Sequence, residues 1–172
     1  MSVNTFNYCP ICGSKLIKKE IGDEGKMAYC DTCNKPIFDM FNVTPIIMVI
    51  NEFNEVCLLK QNYISKTFLV FISGYLKKYE SVEEAIKREV FEETGLTVDK
   101  IEYHLSSFHE ATQTLRLGFV AYVKKQAFHK SEKEVDEIYW FDLVEAEKYL
   151  NPNGFSTQIY LSYRKKTSNW NW

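Results

Sequence analysis

Three glutamates near the middle of the sequence have the type and the spacing of metal ligands. Glu89, Glu92 and Glu93 stand at positions i, i+3 and i+4, so a helix would turn all three toward one point. Oxygen ligands of this kind suit Mg²⁺ or Mn²⁺. A divalent cation held there lowers the pKa of water and neutralises anionic oxygens. This glutamate trio therefore predicts a site for a divalent cation.

The trio belongs to a helix whose ends are marked in the sequence. Ser81 begins a capping box, and Gly95 supplies the left-handed residue that closes a helix. At 100° per residue, Glu89 and Glu93 fall within the apolar stripe and Glu92 on its edge. The alternative is an ordinary solvated helix surface with i,i+4 ion pairs. The position of Glu89 and Glu93 within the apolar stripe argues against that alternative. A buried carboxylate is costly unless a positive charge lies next to it.

The residues around this helix resemble a long family motif. Gly74, Glu80 and residues 88–96 match the Nudix box, G-x5-E-x7-R-E-U-x-E-E-x-G-U with U aliphatic, at every fixed position. The resemblance implies a Nudix hydrolase, a pyrophosphohydrolase that uses Mg²⁺ or Mn²⁺ to cleave a nucleoside diphosphate linked to another group. Such a linkage is anionic and repels a nucleophile, so metal assistance suits the reaction.

The resemblance also implies roles for the matching positions. The glutamate trio would hold the catalytic metal, with Glu89 as a candidate general base. The Gly74 carbonyl would be a further ligand. Glu80 and Arg88 would form an internal salt bridge that orients the helix. Arginine suits this task better than lysine because its planar fork grips a carboxylate at two points.

Four cysteines near the start indicate a second metal site. Cys9 and Cys12 form one C-x2-C pair, and Cys30 and Cys33 form another after seventeen intervening residues. This spacing is typical of a four-cysteine zinc site, which leaves no open position for substrate and is therefore structural. Disulfides or unrelated free thiols are the alternatives, and the missing secretory signal disfavours disulfides. Cys57 lies in an apolar run and is interpreted as a buried strand residue.

A zinc ribbon ahead of a Nudix domain resembles the NADH pyrophosphatase branch, whose members split NADH or NAD. The branch signature S-Q-P-W-P-F-P-Q-S aligns with "SSFHEATQT", residues 106–114, where only Ser106 and Gln113 match. We also expect no extra N-terminal domain, because the ribbon begins at residue nine. These departures leave ADP-ribose, nucleoside triphosphates, sugar nucleotides and capped RNA ends as alternative substrates.

Three further side chains are candidates for the site. Glu134 precedes a late strand, where relatives often carry another acidic ligand or base; the alternative is a solvated charge in an acidic loop. His109 is a candidate for substrate contact, although a lone histidine is often structural. Tyr75 follows Gly74 and would stack on a nucleobase, or would simply pack.

The elements around these residues predict an α/β fold. Strands are expected over residues 45–51, 55–61, 67–73, 101–108, 115–124 and 137–141 from their β-branched and aromatic content. Asp142 is expected to cap a helix that ends at Tyr149, and a last helix lies near residues 156–166. The Nudix resemblance covers about residues 43–150 and implies an α/β/α sandwich with a mixed sheet. We expect a zinc ribbon at 1–42 and a Nudix hydrolase domain at 43–172.

Composition limits the partners. The 172 residues carry a formal charge of −2, which gives no general attraction to nucleic acid or membranes. No apolar run approaches the ~20 residues of a spanning helix, and the start has no signal-peptide core, so we expect a cytoplasmic protein. Its partner would be a nucleotide-type small molecule; the resemblance also implies a homodimer. The competing function is a nucleic-acid-binding or regulatory protein, but acids interrupt the lysines of the ribbon.

Overall fold

A computed structural model describes residues 6–130 and 134–168 of the chain. The chain divides into two compact units, Met1–Phe41 and Asn42–Trp172. The first is a small sheet beside a cysteine cluster, and the second is a larger sheet with helices on both faces.

The first unit is built from three short antiparallel strands. They are β1 (Ile17–Glu20), β2 (Lys26–Cys30) and β3 (Lys35–Ile37), paired in that order. The residue after each cysteine pair, Gly13 or Asn34, has a positive φ of 74° or 51°. These are residue types that accept the left-handed conformation, so each cysteine pair lies on a tight turn.

The second unit contains a six-stranded mixed sheet. Its strands are β4 (Asn42–Asn51), β5 (Glu55–Lys60), β6 (Ile72–Ser73), β7 (Val98–His109), β8 (Thr114–Val123) and β9 (Glu137–Asp142). The main order is β7-β8-β4-β5-β9, and β6 pairs with β4. The β4–β8 pair is parallel, whereas the other pairs are antiparallel.

Helices cover both faces of this sheet. The helix α1 (Val82–Thr94) packs Ile86 and Val90 against one face, where Ile47 and Val49 lie. The helices α2 (Leu143–Ala146) and α3 (Phe155–Ser168) pack on the other face. Because alternate residues of β4 meet different layers, the strand is apolar on both sides. The predicted α/β/α sandwich is confirmed.

Most of the predicted elements are confirmed. Asp142 caps α2 by accepting a hydrogen bond from Val144 N at 2.8 Å, and α3 buries Ile159, Tyr160 and Tyr163. Cys57 is fully buried in β5.

The strand expected at residues 67–73 is much shorter than predicted. Within that stretch, β6 contains only Ile72 and Ser73, while Val70 forms an isolated bridge with Leu59. The Ser65 hydroxyl accepts hydrogen bonds from the N–H groups of residues 67 and 68, and Leu69 N donates to Tyr149 O. The backbone therefore bonds to several elements in turn and forms no continuous ladder. None of the helices in the described residues has both the length and the apolar character needed to cross a membrane.

Candidate active site

The helix α1 is fixed at both ends by the predicted caps. Ser81 Oγ accepts a hydrogen bond from Glu84 N at 3.2 Å, and Glu84 Oε2 accepts one from Ser81 N at 2.7 Å. At the other end, Gly95 has a φ of 75° and its N–H donates to Phe91 O at 2.8 Å. With both ends held, the rotation of the helix is set by its apolar residues. The side chains of the glutamate trio therefore have defined directions.

Two members of the glutamate trio are buried, as their helical phase predicts. Glu89 is 8% exposed and Glu93 is 3% exposed, whereas Glu92 is exposed. Burial, together with the negative charges of Glu89, Glu134 and Glu92, raises the pKa of Glu93 to about 8. Among the ion pairs of the described residues, none involves Glu93. Its carboxylate thus lies in a negative environment without a cationic partner.

Arg88 connects the trio to Glu80. Its Nε and Nη2 atoms contact the two Glu80 oxygens at 2.6 and 3.0 Å, which is the two-point grip expected of a guanidinium. Its Nη1 atom also contacts Glu89 at 2.5 Å and Glu92 at 3.1 Å. The Arg88 guanidinium lowers the pKa of Glu80 to about 2. One arginine is therefore shared by three carboxylates.

Gly74 follows β6 and approaches the trio closely. A Cβ atom built at this position would overlap the carboxylate of Glu89, so only glycine lets the backbone come this near. The carboxylates and a nearby main chain offer the hard oxygen ligands that Mg²⁺ and Mn²⁺ prefer. Burial and the neighbouring carboxylates raise the pKa of Glu93, and a divalent cation relieves the repulsion among these carboxylates. The residues present therefore fit such a cation.

These residues open into one cleft of about 600 Å³, a size typical of small-molecule sites. Its walls come from α1, from β4 and β8, and from the segments around Gly74 and Glu134. The lining residues are Thr44, Ile46, Tyr63, Ile64, Ser73, Gly74, Tyr75, Lys77, Arg88, Glu89, Glu92, Glu93, Thr112, Thr114, Arg116 and Glu134.

The cleft brings together most of the residues singled out in the sequence. Glu134 lines it and acts electrostatically on Glu93. Tyr75 lines it with 59% of its surface exposed, and its carbonyl accepts a hydrogen bond from Arg88 Nη2 at 3.4 Å. His109 does not line the cleft; its Nδ1 atom lies 2.8 Å from the hydroxyl of Thr112, which does.

Several residues of the cleft region were missed in the sequence, among them Gln61, Tyr63 and Arg116. Gln61 is buried, and its Nε2 atom lies 3.5 Å from Glu93 Oε2 and 3.2 Å from the Glu134 carbonyl. Tyr63 is 71% exposed at the rim, and Arg116 lies on β8. In the sequence, Gln61 was only the last residue of a predicted strand, and Tyr63 lay just beyond it. Arg116 was visible as a lone charge within an apolar strand.

The four cysteines of the first unit meet at one point. Their Sγ atoms all lie within 4.8 Å of one another, with 3.5 Å between Cys12 and Cys30 and 3.9 Å between Cys9 and Cys33. Zn–S bonds of about 2.3 Å in a tetrahedron place sulfurs about 3.8 Å apart. All four thiols are free of disulfides. The cluster therefore fits a tetrahedral zinc ion.

A model of the NUDIX domain matches residues 40–160 of the sequence. The chain belongs to the NUDIX family. The match includes the glutamate trio, Gly74, Glu80 and Arg88, so the cleft described above lies within the family domain.

Individual proteins show the same likeness. Nudix hydrolase 19, chloroplastic, from Arabidopsis thaliana is 30% identical over 154 residues, which are 86% of this chain and 35% of the relative. The NAD-capped RNA hydrolase NPY1 of Saccharomyces cerevisiae is 27% identical over 81% of this chain and 41% of its own. This chain thus spans less than half the length of either relative.

The fold is also shared with solved structures. A NUDIX hydrolase from Nitrosomonas europaea superposes with a TM-score of 0.66 over 96% of this chain and 92% of its own, at 19% identity. At this identity, the likeness concerns the fold. It supports a Nudix hydrolase fold for the described part of the chain.

Proposed function

We propose that this protein hydrolyses the diphosphate linkage of a nucleoside diphosphate derivative with the help of Mg²⁺ or Mn²⁺. The observation that carries the proposal is the burial of Glu89 and Glu93 in the cleft, where Glu93 has no cationic partner among the described residues. Buried carboxylates that repel one another are expected where a cation binds. Their position in a Nudix domain makes a diphosphate the natural counterpart of that cation.

The residues of the site have separate tasks in this proposal. The glutamate trio and the Gly74 carbonyl would hold the cation, which when bound neutralises phosphate oxygens and lowers the pKa of water. Glu89, which is buried beside Gly74, is the candidate general base that the Nudix resemblance implies. Arg88 restrains Glu89 and Glu92 through the contacts described above, and Glu80 holds Arg88 in place.

The substrate is proposed to be a nicotinamide dinucleotide or ADP-ribose. A relative of this chain is named NAD-capped RNA hydrolase. A four-cysteine cluster ahead of a Nudix domain also resembles the architecture of the NADH pyrophosphatase branch. Tyr63 and Tyr75 give the rim of the cleft two exposed aromatic faces, on which a base or nicotinamide ring can stack.

A second candidate substrate is an RNA whose 5′ end carries NAD. The name of the yeast relative favours it, and the cleft is open at its rim. Nucleic-acid binding without catalysis is less well supported, because it gives no role to the buried carboxylates of Glu89 and Glu93. RNA contacts by the lysines of the first unit would weaken steeply with added salt.

The four cysteines are proposed to hold structural zinc. Four thiolate ligands complete the coordination of the ion, so the zinc would stabilise the first unit without touching substrate. Reduced thiols also suit a reducing compartment such as the cytoplasm, which we propose for this protein.

The decisive experiment measures products from NADH, NAD, ADP-ribose and NAD-capped RNA with Mg²⁺, with Mn²⁺ and without either. We expect mononucleotide products that require the divalent cation. Glu93→Gln should lower turnover by at least about 100-fold, since it removes a metal ligand and keeps the side-chain volume. Glu83→Gln is the matched control, because Glu83 lies on the exposed side of the same helix.

The outcomes separate the alternatives. Unchanged turnover in the Glu93→Gln variant would remove the glutamate trio from the mechanism. Retention of RNA at low salt with no cleavage of any of the four compounds would favour the binding function instead. Cleavage of NADH and of NAD-capped RNA at comparable kcat/KM would place the specificity in the dinucleotide rather than in the RNA.

A further inference from the structure

The cleft has a second polar wall, opposite in charge to the glutamate trio. Thr44 on β4 and Arg116 on β8 stand directly across from one another in the parallel pairing of these strands. Both residues line the cleft. The two side chains share a face of the sheet because they occupy paired positions.

Hydrogen-bonding atoms on this wall are buried without partners. Arg116 Nε and Thr44 Oγ1 are both inaccessible to solvent, and neither has a hydrogen-bond partner within the described part of the chain. A buried polar atom that lacks a partner is costly, and most such atoms in proteins are paired. Two of them on neighbouring strands of one cleft indicate that a ligand supplies the missing acceptor.

The charge of Arg116 is also uncompensated. Whereas Arg88 meets three carboxylates, Arg116 takes part in no ion pair that involves residues 6–130 or 134–168. Its Nη2 atom donates to the Ser107 hydroxyl at 3.3 Å, and its guanidinium lies 4.7 Å from the ring centroid of Phe155. Phe155 is the first residue of α3, where a helix carries partial positive charge. These neighbours hold the guanidinium in place without neutralising it.

We propose that Arg116 and Thr44 bind a phosphate that the substrate carries on a ribose hydroxyl, in addition to its diphosphate. The inference rests on the proposed function, which places the diphosphate at the glutamate trio. The nucleoside would then extend toward β4 and β8. A guanidinium and a hydroxyl are good donors to phosphate oxygens. A neutral base edge would satisfy the hydrogen bonds but would leave the charge of Arg116 unmatched.

Two sources supply this chemistry. One is a 2′-phosphate monoester on the adenosine ribose of a dinucleotide. The other is a 3′-phosphodiester, the link from which an RNA chain continues beyond a dinucleotide at its 5′ end. Arg116 would then determine which nucleoside diphosphate derivatives the enzyme prefers.

Equilibrium binding tests the inference without catalysis. AMP, adenosine 2′,5′-bisphosphate and adenosine 3′,5′-bisphosphate are titrated calorimetrically into the full chain, without Mg²⁺ or Mn²⁺. The acidic end of the cleft affects the common 5′-phosphate of all three ligands alike, so the ratios of their Kd values report the second phosphate. We expect one bisphosphate to bind about 10- to 100-fold more tightly than AMP, as charge-assisted hydrogen bonds predict.

Variants assign the preference to this wall. Arg116→Met should reduce the preference to within about twofold, because it keeps an unbranched side chain and loses the charge. Arg116→Lys should keep part of the preference, and Thr44→Val should weaken it by several-fold. If Arg116→Met fails to fold, the Arg116→Lys and Thr44→Val variants still decide the matter. Equal binding of all three ligands, or a preference unchanged in the variants that fold, would overturn the inference.

Kinetics separates this inference from the proposed function. We expect NADPH, or NAD-capped RNA, to exceed NADH in kcat/KM by about 10- to 100-fold, mainly through KM, and Arg116→Met to remove the difference. Hydrolysis of NADH without any such preference would leave the proposed function standing and refute the phosphate site. A bisphosphate preference in a protein that hydrolyses none of these compounds would support the phosphate site and refute the proposed function.

Discussion

Replacing Glu93 by glutamine should stabilise the protein when no divalent cation is bound at the glutamate trio. The pKa of Glu93 is about 8 in the fold, against an ordinary value of 4.5. Because the folded pKa is the higher one, the stability that protonated Glu93 contributes is fully present below pH 4.5. This contribution is lost as the pH rises toward 8. Each pH unit in this window costs about 1.4 kcal/mol, so by pH 7 the loss is about 3 kcal/mol. Glutamine cannot ionise and should avoid that loss.

Urea unfolding in buffer cleared of Mg²⁺ and Mn²⁺ measures this effect. At pH 7 we expect Glu93→Gln to be more stable than the natural protein by about 3 kcal/mol, and the two curves to converge near pH 4.5. Added Mg²⁺ should raise the stability of the natural protein and have little effect on the variant. Glu83→Gln should change stability by less than about 0.5 kcal/mol. A Glu93→Gln variant that is less stable at pH 7 would show that the surroundings favour the charged carboxylate, and would refute the reasoning.

Three further perturbations address other parts of the molecule. Gly74→Ala should lower Mg²⁺-dependent turnover by at least about 10-fold, because its Cβ would overlap the Glu89 carboxylate; turnover equal to that of the natural protein would contradict the close approach. Glu80→Gln should lower stability at pH 6 but not at pH 2, since the depressed pKa of Glu80 contributes stability that disappears as pH falls from about 4.5 toward 2. A difference in urea midpoint between variant and natural protein that is the same at both pH values would contradict this expectation. Cys30→Ser should remove bound zinc, measured by elemental analysis, and expose the first unit to protease; zinc retained at one equivalent would exclude the four-cysteine site.

The sequence predicted the helix of the site well because its signals are local. The caps at Ser81 and Gly95 and the phase of Glu89 and Glu93 depend on residues within one helix. The same holds for the cysteine cluster, where each pair lies on its own turn. Local signals of this kind predict the folded structure correctly because they do not depend on contacts with distant residues.

Gln61 and the strand wall of the cleft could not be predicted, because they reach the site through long-range contacts. Gln61 reaches Glu93 across 32 positions and the Glu134 carbonyl across 73. Thr44 meets Arg116 only through the pairing of β4 with β8. The shortness of β6 has the same cause, since the residues just before it bond to Tyr149 and Leu59 and only β6 itself pairs with β4. Residue types alone do not show which strands will be neighbours.

The helix α1 combines packing and chemistry on one face. Ile86 and Val90 anchor it in the core, while Glu89 and Glu93 lie buried beside them. Moving the acids to the exposed face would relieve their repulsion but would also turn them away from Gly74 and the cleft. The apolar contacts therefore offset the cost of holding carboxylates where water is scarce. If the proposed cation binds there, that cost falls, so ligand binding and folding stability would be coupled in this domain, and the stability of the natural protein should report occupancy of the site.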